Sequence, residues 1–181
     1  MNIPNALTLL RILLVPLFVG LVLYGHLSTA LVVFLVAGLT DALDGLIARL
    51  LNQQTTLGRY LDPLADKLLL VAAFVVLSVG GFVPLWVTII VVSRDIIISV
   101  GSLVLHLFRE QPDIAPTLMG KATTVLQLVY ILAVLAGTTM PLPGWVILVS
   151  LGGVSVLTVA SGLHYLIRGV QILGAQQGVR A

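Results

Sequence analysis

Apolar residues run through this chain in six long stretches, at about Leu7–Tyr24, Ser28–Leu51, Gly58–Val79, Pro84–Phe108, Thr117–Thr138 and Pro143–Ile167. Each is near the roughly 20 residues that an α-helix needs to cross the hydrocarbon core of a bilayer. The pattern predicts an all-α, polytopic integral membrane protein with six transmembrane helices, forming one domain over residues 1–181. The first stretch has the apolar character of a signal peptide. It lacks a basic leader and five further spans follow it, so it is expected to be retained.

The breaks between stretches alternate in charge. Tyr24–Ser28, Gly80–Pro84 and Gly137–Gly144 contain no Lys, Arg, Asp or Glu. All nine basic and seven acidic residues fall toward the other side: Arg11, Asp41–Lys67, Arg94–Asp95, Arg109–Lys121, Arg168 and Arg180. Short loops rich in Lys and Arg stay in the cytoplasm. Both termini are therefore expected inside, with the three neutral turns outside. Trp86 and Trp145, just past two of those turns, suit anchors at the outer interface.

Composition agrees. Of 181 residues, 59% are hydrophobic and 9% charged, and the mean hydropathy is +1.18. Soluble domains are closer to 45–50% apolar and about 25% charged. High hydrophobicity excludes a disordered chain. The absence of cysteine excludes a disulfide scaffold, thiol catalysis and cysteine-ligated metals. The net charge of +2 and the lack of any basic run predict no nucleic-acid partner.

The chemistry concentrates in four aspartates. Asp41 and Asp44 lie in the second stretch, Asp62 and Asp66 in the third. Their i,i+3 and i,i+4 spacings put each pair on one helix face. An Asp at mid-bilayer costs about 2.5–3.5 kcal/mol on the insertion scale, so such residues mark function. Counted from the outer ends, Asp41 and Asp66 both fall roughly 20 Å deep, given a rise of about 1.5 Å per residue. On antiparallel helices all four carboxylates can meet at one level, near the cytoplasmic interface. Together they would repel one another and take up protons unless divalent cations were bound. Hard oxygen ligands favour magnesium, manganese or calcium, and paired metals suit displacement at phosphorus. Gly45 and Ala48 keep the acidic face bare, Arg49 and Arg59 flank it with positive charge, and Gly58 sits where a helix N-terminus would favour an anion.

The run from Asp41 to Asp66 fits the pattern D-x2-D-G-x2-A-R-x8-G-x3-D-x3-D at every fixed position. By that signature the chain resembles the CDP-alcohol phosphatidyltransferases. The opening Asn2-Ile-Pro-Asn-Ala-Leu-Thr8-Leu-Leu-Arg11, the Asp62-Pro-Leu-Ala-Asp66-Lys67 segment and Ser93-Arg94-Asp95 are similar to this family as well. The resemblance implies an enzyme that carries the phosphatidyl group of CDP-diacylglycerol to an alcohol acceptor and releases CMP. It implies two Mg2+ or Mn2+ ions held by Asp41, Asp44, Asp62 and Asp66, with Asp66 also the general base. It implies a CDP-diacylglycerol site lined by Thr8, Gly45, Ala48, Arg49 and Gly58. A homodimer in the cell's inner (cytoplasmic) membrane, with the active site facing the cytoplasm, is implied too.

For the acceptor, the basic residues Arg94, Lys121, Arg11, Arg59 and Arg168 are candidates for a phosphate pocket. The bland reading is that Arg94 is neutralised by Asp95 or a motif carboxylate, while Lys121 reaches back to the interface. The chain most resembles the branch of the family that uses sn-glycerol 3-phosphate. That branch commonly carries Gly-Lys-x-Lys-Thr, where this chain has Gly120-Lys121-Ala-Thr123-Thr124. Pro116–Leu128 is also similar to the branch that uses phosphatidylglycerol. Intramembrane carboxylates also mark ion-coupled transporters. Against a transporter, the acids sit at one level and no inverted repeat is detectable.

Overall fold

Two tight reversals turn the chain where the charge-free breaks fall. Gly25 (φ 79°) closes the first and Gly81 (φ 77°) the second, in left-handed conformations that favour glycine. A computed structural model describes the backbone of residues 3–50, 56–108 and 117–177, and the side chains of 8–40, 67–101, 117–169 and 171. Among the described residues the secondary structure is entirely helical: α1 (Ile3–Leu23), α2 (Leu27–Leu50), α3 (Thr56–Val79), α4 (Leu85–Phe108), α5 (Leu118–Thr139) and α6 (Gly144–Gln177). Each expected stretch corresponds to one helix.

The ends differ from expectation at two places. α1 starts at Ile3 rather than near Leu7, with Pro4 in its first turn, where a missing N–H costs nothing. α6 continues to Gln177, ten residues beyond the last apolar position expected. Hydropathy marks where a bilayer could end, whereas Leu, Gln and Ala carry a helix onward by propensity.

The closest packing joins α1 to α2 and α3, α5 to α6, α4 to α6 and α2 to α5. Phe18 of α1 meets Phe34 of α2 at 5.5 Å between ring centroids, and Phe74 of α3 stacks on Tyr130 of α5 at 6.0 Å. These rings, with Leu77, Val87, Ile131, Leu135 and Val154, form one buried core. Ring pairs at such separations add about 0.5–1.5 kcal/mol beyond the area they bury.

The outside is as apolar as the inside. Leu13, Leu17, Val32, Leu39, Leu148, Val149, Val156 and Ile167 are all exposed. Among the described residues, Leu118–Thr139 and Gly144–Gly169 are long and apolar enough to cross a membrane, while Thr8–Leu23, Leu27–Thr40 and Lys67–Val79 are shorter apolar helices. Several polar side chains inside the bundle bond to backbone or to one another. Thr88 donates to the Phe74 carbonyl at 3.2 Å, and Gln127 of α5 donates to Thr158 of α6 at 3.3 Å.

Candidate active site

The four aspartate positions all fall on helical backbone, Asp41 and Asp44 in the second half of α2, Asp62 and Asp66 in the first half of α3. Their side chains, those of Ala48, Arg49 and Arg59, and the surroundings of Gly45 and Gly58 lie outside the described residues, as does the segment 109–116. The donor chemistry fits a hard divalent cation: four carboxylates, no thiol, and regular helices at both pairs.

The described part of the site begins with α1, which packs against both acid-bearing helices. Thr8 and Arg11 are fully buried there, Arg11 being among the largest side chains with no exposure, and both are engaged by neighbours. A guanidinium taken out of water must be paired and hydrogen-bonded to persist. Lys67, the residue after Asp66, donates to the Ser99 hydroxyl of α4 at 2.7 Å.

A second polar centre joins α4, α5 and α6. Arg94 is 8% exposed, and its guanidinium is held on three sides. One nitrogen donates to the Asp95 carboxylate at 2.7 Å; the other donates to the Ser161 hydroxyl at 3.1 Å and lies 3.5 Å from the Gly120 carbonyl. Nε has no hydrogen-bond partner. Consecutive residues on a helix diverge, so only a long side chain could fold back to its neighbour's carboxylate. The Arg94 stem packs beside Gly162 of α6, where a Cβ would lie 3.5 Å away, an ordinary contact. Of the two readings open for Arg94, neutralisation by Asp95 is the contact observed.

The start of α5 lies beside this pair. The Thr117 hydroxyl accepts from the Gly120 N–H at 3.1 Å, a regular N-cap. Its backbone N–H and hydroxyl both donate to the Tyr165 oxygen of α6, at 3.1 and 3.2 Å. Lys121 follows, exposed, and Arg168 is exposed three residues past Tyr165. The four basic candidates whose side chains are described therefore divide. Arg94, Lys121 and Arg168 belong to the α4–α5–α6 end, whereas Arg11 belongs to the α1 side with α2 and α3.

Sequence reasoning missed Ser161 and Tyr165. A signal existed: Thr158, Ser161, Tyr165 and Arg168 recur at three- and four-residue steps, one polar stripe down an otherwise apolar α6. Of the histidines, the side chain of His106 lies outside the described residues. His26 and His164 are exposed, and His164 lies edge-on to Tyr165 at 6.3 Å.

The described residues define an all-helical bundle with large apolar side chains on its surface, with paired acids in the sequence of α2 and α3 and Arg94, Lys121 and Arg168 on α4, α5 and α6. The chain belongs to the CDP-alcohol phosphatidyltransferase family, whose model matches residues 1–160. It is 36% identical over 180 residues to the "Probable phosphatidylglycerophosphate synthase" of Mycobacterium tuberculosis, covering 96% of this chain and 84% of that one. It is 36% identical over 150 residues to the CDP-diacylglycerol–glycerol-3-phosphate 3-phosphatidyltransferase of Bacillus subtilis, covering 74% and 76%. It is also 36% identical over 152 residues to the human cardiolipin synthase (CMP-forming), covering 75% and 50%.

Proposed function

We propose that this protein transfers the phosphatidyl group of CDP-diacylglycerol to sn-glycerol 3-phosphate and releases CMP, a step of phosphatidylglycerol synthesis. The observation that carries this reading is the full Asp41–Asp66 signature, in a chain similar over 96% of its length to a protein named for that synthesis. The acceptor hydroxyl oxygen attacks the phosphorus of the phosphatidyl group. The new O–P bond forms as the bond to CMP breaks, and the hydroxyl proton passes to Asp66.

Asp41, Asp44, Asp62 and Asp66 would hold magnesium or manganese, two ions per site, supplying positive charge to the diphosphate. Thr8, Gly45, Ala48, Arg49 and Gly58 would bind the CDP part. Arg94, Lys121, Arg168, Arg11 and Arg59 would supply the field that draws an acceptor phosphate. Arg94 would do so with Nε, the guanidinium nitrogen not engaged by Asp95, Ser161 or Gly120.

All six helices would span the inner membrane, with both termini and the site at the cytoplasmic side. The exposed leucines and valines would face lipid, or a second copy in a homodimer. The substrate itself argues for this depth, because its acyl chains belong in the bilayer while its nucleotide is water-soluble.

The test offers purified protein CDP-diacylglycerol with glycerol 3-phosphate, phosphatidylglycerol, myo-inositol 1-phosphate or serine, each alone. Phosphatidylglycerophosphate is the expected product. Cardiolipin as the sole product would replace this reading with phosphatidylglycerol as the acceptor, which the missing second lysine after Lys121 and the human relative favour. Absence of CMP release with any acceptor would leave a transporter or scaffold.

A further inference from the structure

Tyr165 stands at the junction of the two polar elements on the α4–α5–α6 end. Its oxygen accepts from the Thr117 N–H and from the Thr117 hydroxyl. The same hydroxyl accepts from Gly120 to start α5, and the Gly120 carbonyl faces Arg94. One phenol thus sets the first turn of α5, which carries Lys121, against the helix that holds Arg94 through Ser161. Packing there is close: a Cβ on Gly120 would lie 3.0 Å from the Tyr165 oxygen and 3.3 Å from Thr117 Oγ1. Ring and glycine fit each other, and an added methyl would push the hydroxyl by a few tenths of an ångström. With both bonds accepted, the Tyr165 proton remains available to a further acceptor.

We propose that Tyr165 is a positioning residue for the acceptor: by anchoring Thr117 it holds Lys121 in register with Arg94, and so sets affinity for a phosphate-bearing alcohol. The inference rests on the proposed transferase reading, but not on which phosphate-bearing acceptor is used. Phosphate affinity falls steeply when two charges lose their common geometry. The CDP-diacylglycerol site, assigned to α1, α2 and α3, lies on other helices.

The test begins with wild-type protein, measuring CMP release with glycerol 3-phosphate and with phosphatidylglycerol. The variant Tyr165→Phe keeps the ring and removes the oxygen. It is expected to raise KM for the acceptor in use by roughly tenfold, equivalent to about 1.4 kcal/mol, as two neutral hydrogen bonds are lost. The kcat and the KM for CDP-diacylglycerol stay within about twofold, because neither depends on the lost bonds.

Gly120→Ala, which improves helix propensity while pushing the hydroxyl aside by a few tenths of an ångström, is expected to raise the same KM by less. Thr117→Ser, which keeps both donors, is expected to retain the wild-type KM. An unchanged acceptor KM in both Tyr165→Phe and Gly120→Ala overturns the proposal while leaving the transferase reading intact. A parallel fall in kcat and rise in both KM values also overturns it, because the tyrosine is then only a strut. Wild-type protein without transfer to either acceptor removes both readings together.

Discussion

Arg94 on α4 and Ser161 on α6 meet at 3.1 Å across 67 residues of chain, and with Asp95 they bury a complete ion pair inside the bundle. Breaking a buried pair from one side leaves an uncompensated charge, at a cost of about 3–5 kcal/mol. Asp95→Asn is therefore expected to lower the unfolding temperature of the purified protein markedly. Ser161→Ala, which removes a single hydrogen bond to a charged group, is expected to cost about 1.5–3 kcal/mol. Thermal unfolding in detergent checks the order. Equal stability of Asp95→Asn and wild type would mean that Arg94 is neutralised elsewhere.

Asp41→Asn and Asp44→Asn are each expected to abolish CMP release, since an amide lacks the charge that binds a divalent cation. The measurement is activity against a magnesium or manganese titration. Full activity with an unaltered metal dependence would sink the two-ion site.

Asp66→Asn separates base from ligand. General-base help is worth about 10²–10⁴-fold, so turnover is expected to fall by that much while CDP-diacylglycerol still binds with magnesium. Binding is read with a non-reacting assay lacking acceptor. Parallel loss of nucleotide-lipid binding would make Asp66 chiefly a metal ligand, and an active variant would exclude it as the base.

Topology can be read by labelling single cysteines in intact cells with an impermeant thiol reagent. The native chain has no cysteine to interfere. Tyr24→Cys and Met140→Cys, at positions 84% and 59% exposed, are expected to react from outside, and Gln53→Cys only after the membrane is opened. The opposite pattern would invert the orientation and remove the cytoplasmic site.

Much of this architecture is legible in the residue order. Six apolar stretches become six helices because helical hydrogen bonding is local and each segment can satisfy its backbone alone. The Asp41–Asp66 spacing declares its chemistry for a similar reason: residues three or four apart on one helix share a face regardless of what packs against it. Helix ends were less legible. α6 outruns its apolar stretch by ten residues because polarity limits membrane burial and not helix formation.

What tertiary structure alone decided is which polar side chains become partners. Arg94 had three candidate partners in sequence terms: a neighbouring carboxylate, a motif carboxylate or a substrate phosphate. The fold brings it to Asp95 and Ser161. Tyr165 carried no sequence signal of its own beyond a polar stripe, yet it joins α6 to the first turn of α5 across 48 residues. Such contacts depend on the rotation and depth at which separate helices dock. That docking is set by the fit of Phe18 with Phe34 and of Phe74 with Tyr130, with Gly120 permitting the close approach of α5 to Tyr165. Periodicity within one helix states which face is polar, and only the packing of several helices selects what that face meets.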